Sequence, residues 1–137
     1  MKTILIPVRL FDAGSAEEAE EHYRQLLERA VQLDEAYLRA HPDTAGVRDS
    51  PVRYEVSLFG SFFDIPTALA RGWGDADTLA CWRAAELRAK GESASAVLVQ
   101  VPRPEWRGGG VSYTCRVRRG DGSIEDIVEV IRRRSLV

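Results

Sequence analysis

The residues best placed to do chemistry lie where a glycine turn runs into a helix, in Arg71-Gly72-Trp73-Gly74-Asp75-Ala76-Asp77-Thr78 and onward to Arg88. Gly72 and Gly74 allow backbone angles that other residues avoid. Asp75 can cap the helix, its carboxylate accepting from the free N–H groups of the first turn. Behind it Leu79, Ala80, Ala84 and Leu87 recur at helical spacing. Position 76 therefore stands in the first turn. A thiol there would be acidified by the unpaired N–H groups and the helix dipole, and would be a well-placed nucleophile. The residue is alanine.

A thiol enzyme also needs a base within hydrogen-bond reach and a group to orient it. Cys81 is five residues beyond position 76, which turns it about 140° away and carries it roughly 7 Å along the axis. Cys115 follows Thr114 on a predicted strand, so the two point to opposite faces. Both thiols read as core residues. The chain has two histidines, His22 and His41, and none after residue 41. His41 precedes Pro42 at a helix end, where a capping or surface role is expected, and His22 at the edge of an apolar face is read the same way. Neither has a cysteine or second histidine at ligand spacing, so no zinc motif is present. Asp75, Asp77, Glu125 and Asp126 could converge and hold Ca²⁺ or Mg²⁺. Their spacing matches no recognised loop, and capping by Asp75 with ordinary hydrogen bonding by Asp126 is the reading adopted. No metal and no other cofactor is expected. Gly108-Gly109-Gly110 lacks the Gly-Lys-Ser/Thr ending of a phosphate loop.

The stretch RGWGDADTLACWRAAELR resembles the small transglutaminase-like proteins of bacteriophage and prophage genes. That family carries Arg-Gly-x-Gly-Asp-Cys-Asp-x-Leu-Ala, then a helix ending in Ala-Ala-Glu-Leu-Arg, a strand bearing histidine, a hairpin and an Ile-Glu-Asp strand. The later segments match VSYTCRVRRGDGSIED. The resemblance covers most of the chain from Val52 onward, and is weaker before it. It implies an α+β fold: one transglutaminase-like domain over residues 1–137, with an N-terminal strand and long helix and a central helix on an antiparallel sheet of about 3–5 strands. It also implies a vestigial site. Ala76 stands at the family's cysteine and Thr114 at its histidine, when aligned on Asp121-Gly122, while Asp126 matches the third residue. Loss of nucleophile or base in a hydrolytic triad removes on the order of 10⁶ in turnover, so the family reaction is not expected here.

The elements that must position this stretch follow from periodicity and breakers. Thr3 to Leu10 reads as a strand, with Pro7 marking an edge or an irregular end. Ser15 and Glu18 form a capping box, and the helix they open runs to Arg39 or Ala40. Its apolar face is Ala19, Tyr23, Leu26, Leu27, Ala30, Leu33 and Tyr37; Glu17, Glu20, Arg24 and Glu28 face out, with Glu20–Arg24 an i,i+4 pair. Val52 to Phe59 reads as a strand or covering extended segment, and Phe62 and Phe63 as core. Asp64 caps a short helix with Pro66 in its first turn. The helix after Asp75 ends at Lys90-Gly91. Ala94 to Val101 is continuously apolar and reads as a central strand. Val111 to Arg119 and Ile124 to Val130 form a hairpin about Asp121-Gly122, and IRRRSLV reads as a strand end and tail.

Composition excludes several partners. With 137 residues, a formal charge of −2 and a sequence pI near 5.7, the chain has no field that attracts nucleic acid or membrane. Two cysteines make no disulfide framework. The first residues lack the pattern of a signal peptide, and no run is apolar enough to span a bilayer. The expected location is a virion, or host cytoplasm during assembly. The leading expectation is a catalytically inactive structural or interaction component of a phage head, neck or tail, with other phage structural proteins or copies of itself as partners. Trp73, Asp75 and Trp106 are the candidate contact residues. The alternatives are a thiol- or metal-dependent amidase or acyltransferase of the same superfamily, and a non-viral peptide-binding module.

Overall fold

The computed structural model describes residues 16–56 and 62–134, which form an α+β arrangement. The expected strand Thr3–Leu10, the cap Ser15 and the segment 57–61 lie outside the described residues. The long helix α1 is Ala16–Ala40. Leu27 and Val31 are wholly buried on its inner face, with Tyr23, Ala30 and Tyr37 packed beside them. Two details depart from the sequence reading. Leu33 is exposed, and the buried place next to it belongs to Asp34, which is 2% exposed. Arg24 pairs with Glu21 at 3.1 Å rather than with Glu20.

Helix α2, Ile65–Arg71, opens on Asp64, whose carboxylate accepts from the Thr67 N–H at 2.9 Å, and has Pro66 in its first turn. Asp34 of α1 adds a second acceptor there, taking the Ile65 N–H at 3.2 Å. Gly72 closes the helix at φ 80°, a left-handed conformation that glycine adopts without strain. Arg53–Tyr54 (β1) pairs in parallel with Trp73–Gly74 (β2). The strand expected over Val52–Phe59 is thus two residues long in the described part.

Helix α3, Ala76–Ala89, is the centre of the molecule, and every residue from Asp77 to Leu87 is buried. It packs against α1, the three-stranded sheet and the last helix. Alanines at 80, 84 and 85 allow close approach, while Trp82 fills the largest enclosed volume. The sheet is β3 (Ala94–Pro102), β4 (Val111–Arg119) and β5 (Ile124–Glu125), in the order β3-β4-β5 and antiparallel throughout. Among the described residues the run Ala94–Val101, expected to be central, is an edge strand; Val97, Val99 and Val101 are only half-buried. The return strand expected over Ile124–Val130 also stops early. Asp126 accepts from the Glu129 N–H at 3.2 Å and starts helix α4, Ile127–Arg134, which buries Ile127 and Ile131. The Asp-x-x-Glu spacing at 126–129 is a capping pattern, and it outweighs the β-branched residues that suggested a strand. Among the described residues no helix is long and apolar enough to cross a membrane.

A helix buried on all sides must neutralise its own charges. Arg83 is 3% exposed and donates to Glu125 of β5 at 2.8 Å and to Glu86 at 3.1 Å. Glu86 also accepts from the Val47 N–H, so the loop after α1 is fastened to α3. Replacing Arg83 by Met leaves two carboxylates without their cation. It is expected to lower the unfolding free energy by about 3–5 kcal/mol in urea titrations. Burial, with Asp64 adding to it, holds the Asp34 carboxyl well above its usual range, although the Ile65 N–H opposes this. A raised folded value contributes stability that is complete below the unfolded value and is lost as pH rises through the folded one. The variant Asp34→Asn should therefore gain in melting temperature relative to the parent as pH increases from about 4. A difference that stays level with pH would contradict this.

Candidate functional site

The site is the start of α3 and the side chains that face it. Gly74 leads in because a Cβ there would lie 3.0 Å from Thr78 Cγ2 and 3.4 Å from a Leu79 methyl. Its role is close approach, whereas Gly72 supplies the left-handed turn. Asp75, 5% exposed, caps the helix by accepting from the Thr78 N–H at 2.9 Å. Ala76 follows with its methyl packed against the core.

The next residue gathers the chemistry. The buried Asp77 carboxylate accepts a hydrogen bond from the Tyr23 hydroxyl of α1. The buried Cys115 thiol of β4 lies in the field of the same carboxylate. Burial first, then Asp77, pushes the Cys115 thiol far up, and burial with Asp77 does the same to the Tyr23 hydroxyl. A helix N-terminus favours an anion with about half a unit of positive charge. Here Asp75 and Asp77 bring two carboxyl groups to that end, and the thiol is enclosed, so these acids and burial outweigh the dipole. Cys81 is likewise buried and held protonated, with its Sγ 3.8 Å from the Leu27 carbonyl.

Thr114 and Cys115 take opposite faces of β4. Cys115 and Val117 alternate onto the face covered by α3, and Thr114 and Arg116 onto the other. Arg116 reaches Asp126 at 3.5 Å. Of the three aligned positions, Ala76 stands at the helix start, Thr114 on the far face of the sheet, and Asp126 at the cap of α4. Tyr54 of β1 lies in the field of both ends of the site: burial raises its hydroxyl, Arg132 opposes this, and Asp75, Asp126 and Asp77 add to it. The four acids considered for a cation have other bonds. Asp75 and Asp126 cap helices, Asp77 holds Tyr23, and Glu125 holds Arg83. Among the described residues no group of three metal-ligating side chains comes together.

Neither histidine joins this cluster. His41 is exposed, stacked on Tyr37 at 4.2 Å, with its Nδ1 3.0 Å from the Tyr37 carbonyl. Of the candidate contact residues, Trp73 is half-buried with its ring edge-on to Phe63 at 4.9 Å, and Asp75 is buried. Trp106 is 48% exposed on the loop 103–110, with its ring over Gly110 and the Arg103 guanidinium 6.0 Å from its centroid. The sequence reading placed Tyr23 in the apolar face of α1 and missed its hydroxyl. The available signal was that an enclosed tyrosine needs a partner for its O–H.

Both thiols should be inert in the folded protein. A thiol reagent at neutral pH is expected to modify Cys81 and Cys115 only as fast as the chain unfolds, and rapidly in denaturant. Tyr23→Phe, which takes a donor from the buried Asp77, should cost about 1–3 kcal/mol of stability in urea and leave the far-ultraviolet circular dichroism unchanged. No family model, curated protein or solved structure matches the chain.

Proposed function

We propose that this chain is a catalytically inactive transglutaminase-like domain retained as a structural or protein-interaction component of a bacteriophage particle or of its assembly. The observation that carries this reading is the chemistry at the start of α3. Position 76 carries a methyl group, and the thiol that faces the same helix end, Cys115, is enclosed and held protonated by burial and by Asp77. Both histidines, His22 and His41, are exposed on α1 and at its end, away from the enclosed thiol, which favours a site without the family's thiolate and imidazole. The resemblance of RGWGDADTLACWRAAELR contributes the family and the phage setting.

A fold whose chemistry is gone persists when its surface is used. The loop 103–110 with Trp106 is one such surface, and the polar face of α1 is another. Mass spectrometry and electron microscopy of purified particles and assembly intermediates test the reading. The chain is expected in stoichiometric amount in at least one of them. Its absence from all, or an amide-cleaving activity lost in a Cys81→Ala/Cys115→Ala variant, would overturn it.

A further inference from the structure

Among the described residues the edge of the sheet is formed by β3, and this strand lacks the charges, internal proline and bulges that keep an edge from pairing; α1 lies alongside across a groove, and Arg88 takes the carbonyl of its first residue, Ala94. Ala94–Pro102 contains no charged residue, and its only proline is its last. Its register against β4 runs one to one from Ala94↔Arg119 to Pro102↔Val111 without a bulge. Edge strands that stay unpaired are short, charged, bulged or covered. Among the described residues no strand pairs with β3 on the side away from β4. That side borders a groove of about 840 Å³ between Ser95–Gln100 and polar side chains of α1.

The groove has a polarity. Arg88 donates to the Ala94 carbonyl at 2.6 Å and to Glu28 at 2.6 and 2.7 Å, which fixes the middle of α1 beside the start of β3. Tyr23 lies further along, by Asp77 and Cys115, and Cys115 is opposite Leu98. Helix and strand therefore run antiparallel. The end near Gln100 is walled by Glu20 and by Glu21, which is paired with Arg24 at 3.1 Å, and the end near Ser95 by Arg29 and by Arg118, the partner of Ser95 across the ladder, with Glu28 there already held by Arg88; among the described residues Glu20 and the two arginines are the charges left over. A two-fold axis through the middle of β3 would lay the acidic end of one copy over the basic end of the other. Such self-complementarity is what an isologous interface requires.

We propose that β3 pairs antiparallel with β3 of a second copy, joining two three-stranded sheets into one continuous sheet, with Glu20 of each copy facing Arg118 of its partner. The pairing satisfies the free backbone groups of both edges, and the flanking charges set direction and register. It stands independently of the functional reading above, since it rests on the edge and the groove alone.

Analytical ultracentrifugation of the full chain tests it. A species of twice 15.3 kDa is expected at micromolar concentration. Glu20→Lys or Arg118→Glu alone should weaken association roughly tenfold, because the two-fold repeats each contact, and the double variant should recover the parental value. Val99→Lys, at a half-buried position of the edge, should yield a monomer with unchanged circular dichroism; if it does not fold, the charge-swap set decides. Hydrogen exchange of the β3 amides should slow as concentration rises. A monomer at all concentrations, or a dimer indifferent to the charge swaps, would overturn the proposal. So would slow β3 exchange in a monomer, which would mean that another part of the same chain covers the edge.

Discussion

The structure depends on a guanidinium held out of water. Arg83 sits on a helix with no solvent face, and two carboxylates from different parts of the chain meet it there. Bringing Glu125 to Arg83 fixes the short strand β5 against α3, and Glu86 in turn holds the backbone of the loop after α1 through Val47. Arg119 continues the chain of charges, lying 3.5 Å from Glu125 and 2.8 Å from Glu92. An isolated charge in such a position would be prohibitive, whereas a paired and hydrogen-bonded one is tolerated and sets geometry sharply. The sheet, the loop and the central helix therefore share one electrostatic knot.

The same constraint explains what the sequence made legible. α1, α2 and α3 announce themselves through local chemistry: Asp64 and Asp75 as caps, Pro66 at an entry, Gly72 and Gly91 after helix ends, the latter at φ 92°. Those signals act within a turn or two, so they survive without knowledge of the fold. Asp34 and Arg83 were not legible, because their partners lie 31 and 42 residues away. A buried carboxylate in an amphipathic helix looks like a misplaced surface residue until the N–H that it receives is known. The place of β3 failed for a related reason. A continuous apolar run states that a strand avoids water, but not whether a second strand or something else provides the cover.

The candidate site was legible in part. Position 76 was expected in the first turn of a helix, and it stands there. The reading that Cys115 and Thr114 point apart agrees with the alternation of β4, yet its consequence was not drawn: the thiol, not the hydroxyl, is the side chain that approaches α3. Whether a helix start activates a sulfur depends on the net field there. Two aspartates and an enclosing tyrosine turn a position that ordinarily sharpens a nucleophile into one that keeps it neutral.

Arg134 of α4 donates to the carbonyls of Val47 at 3.3 Å, Arg48 at 2.6 Å and Val52 at 2.5 Å. These three contacts span more than eighty residues of chain. During synthesis, the turn after α1 leaves the ribosome long before the side chain that fastens it. The Arg48 and Val52 carbonyls must wait for this donor until residue 134 has emerged, while that of Val47 already has the Ser50 hydroxyl at 2.8 Å. Completion of this corner is thus a late event, and the half-made molecule would offer that loop to chaperones or proteases in the interval.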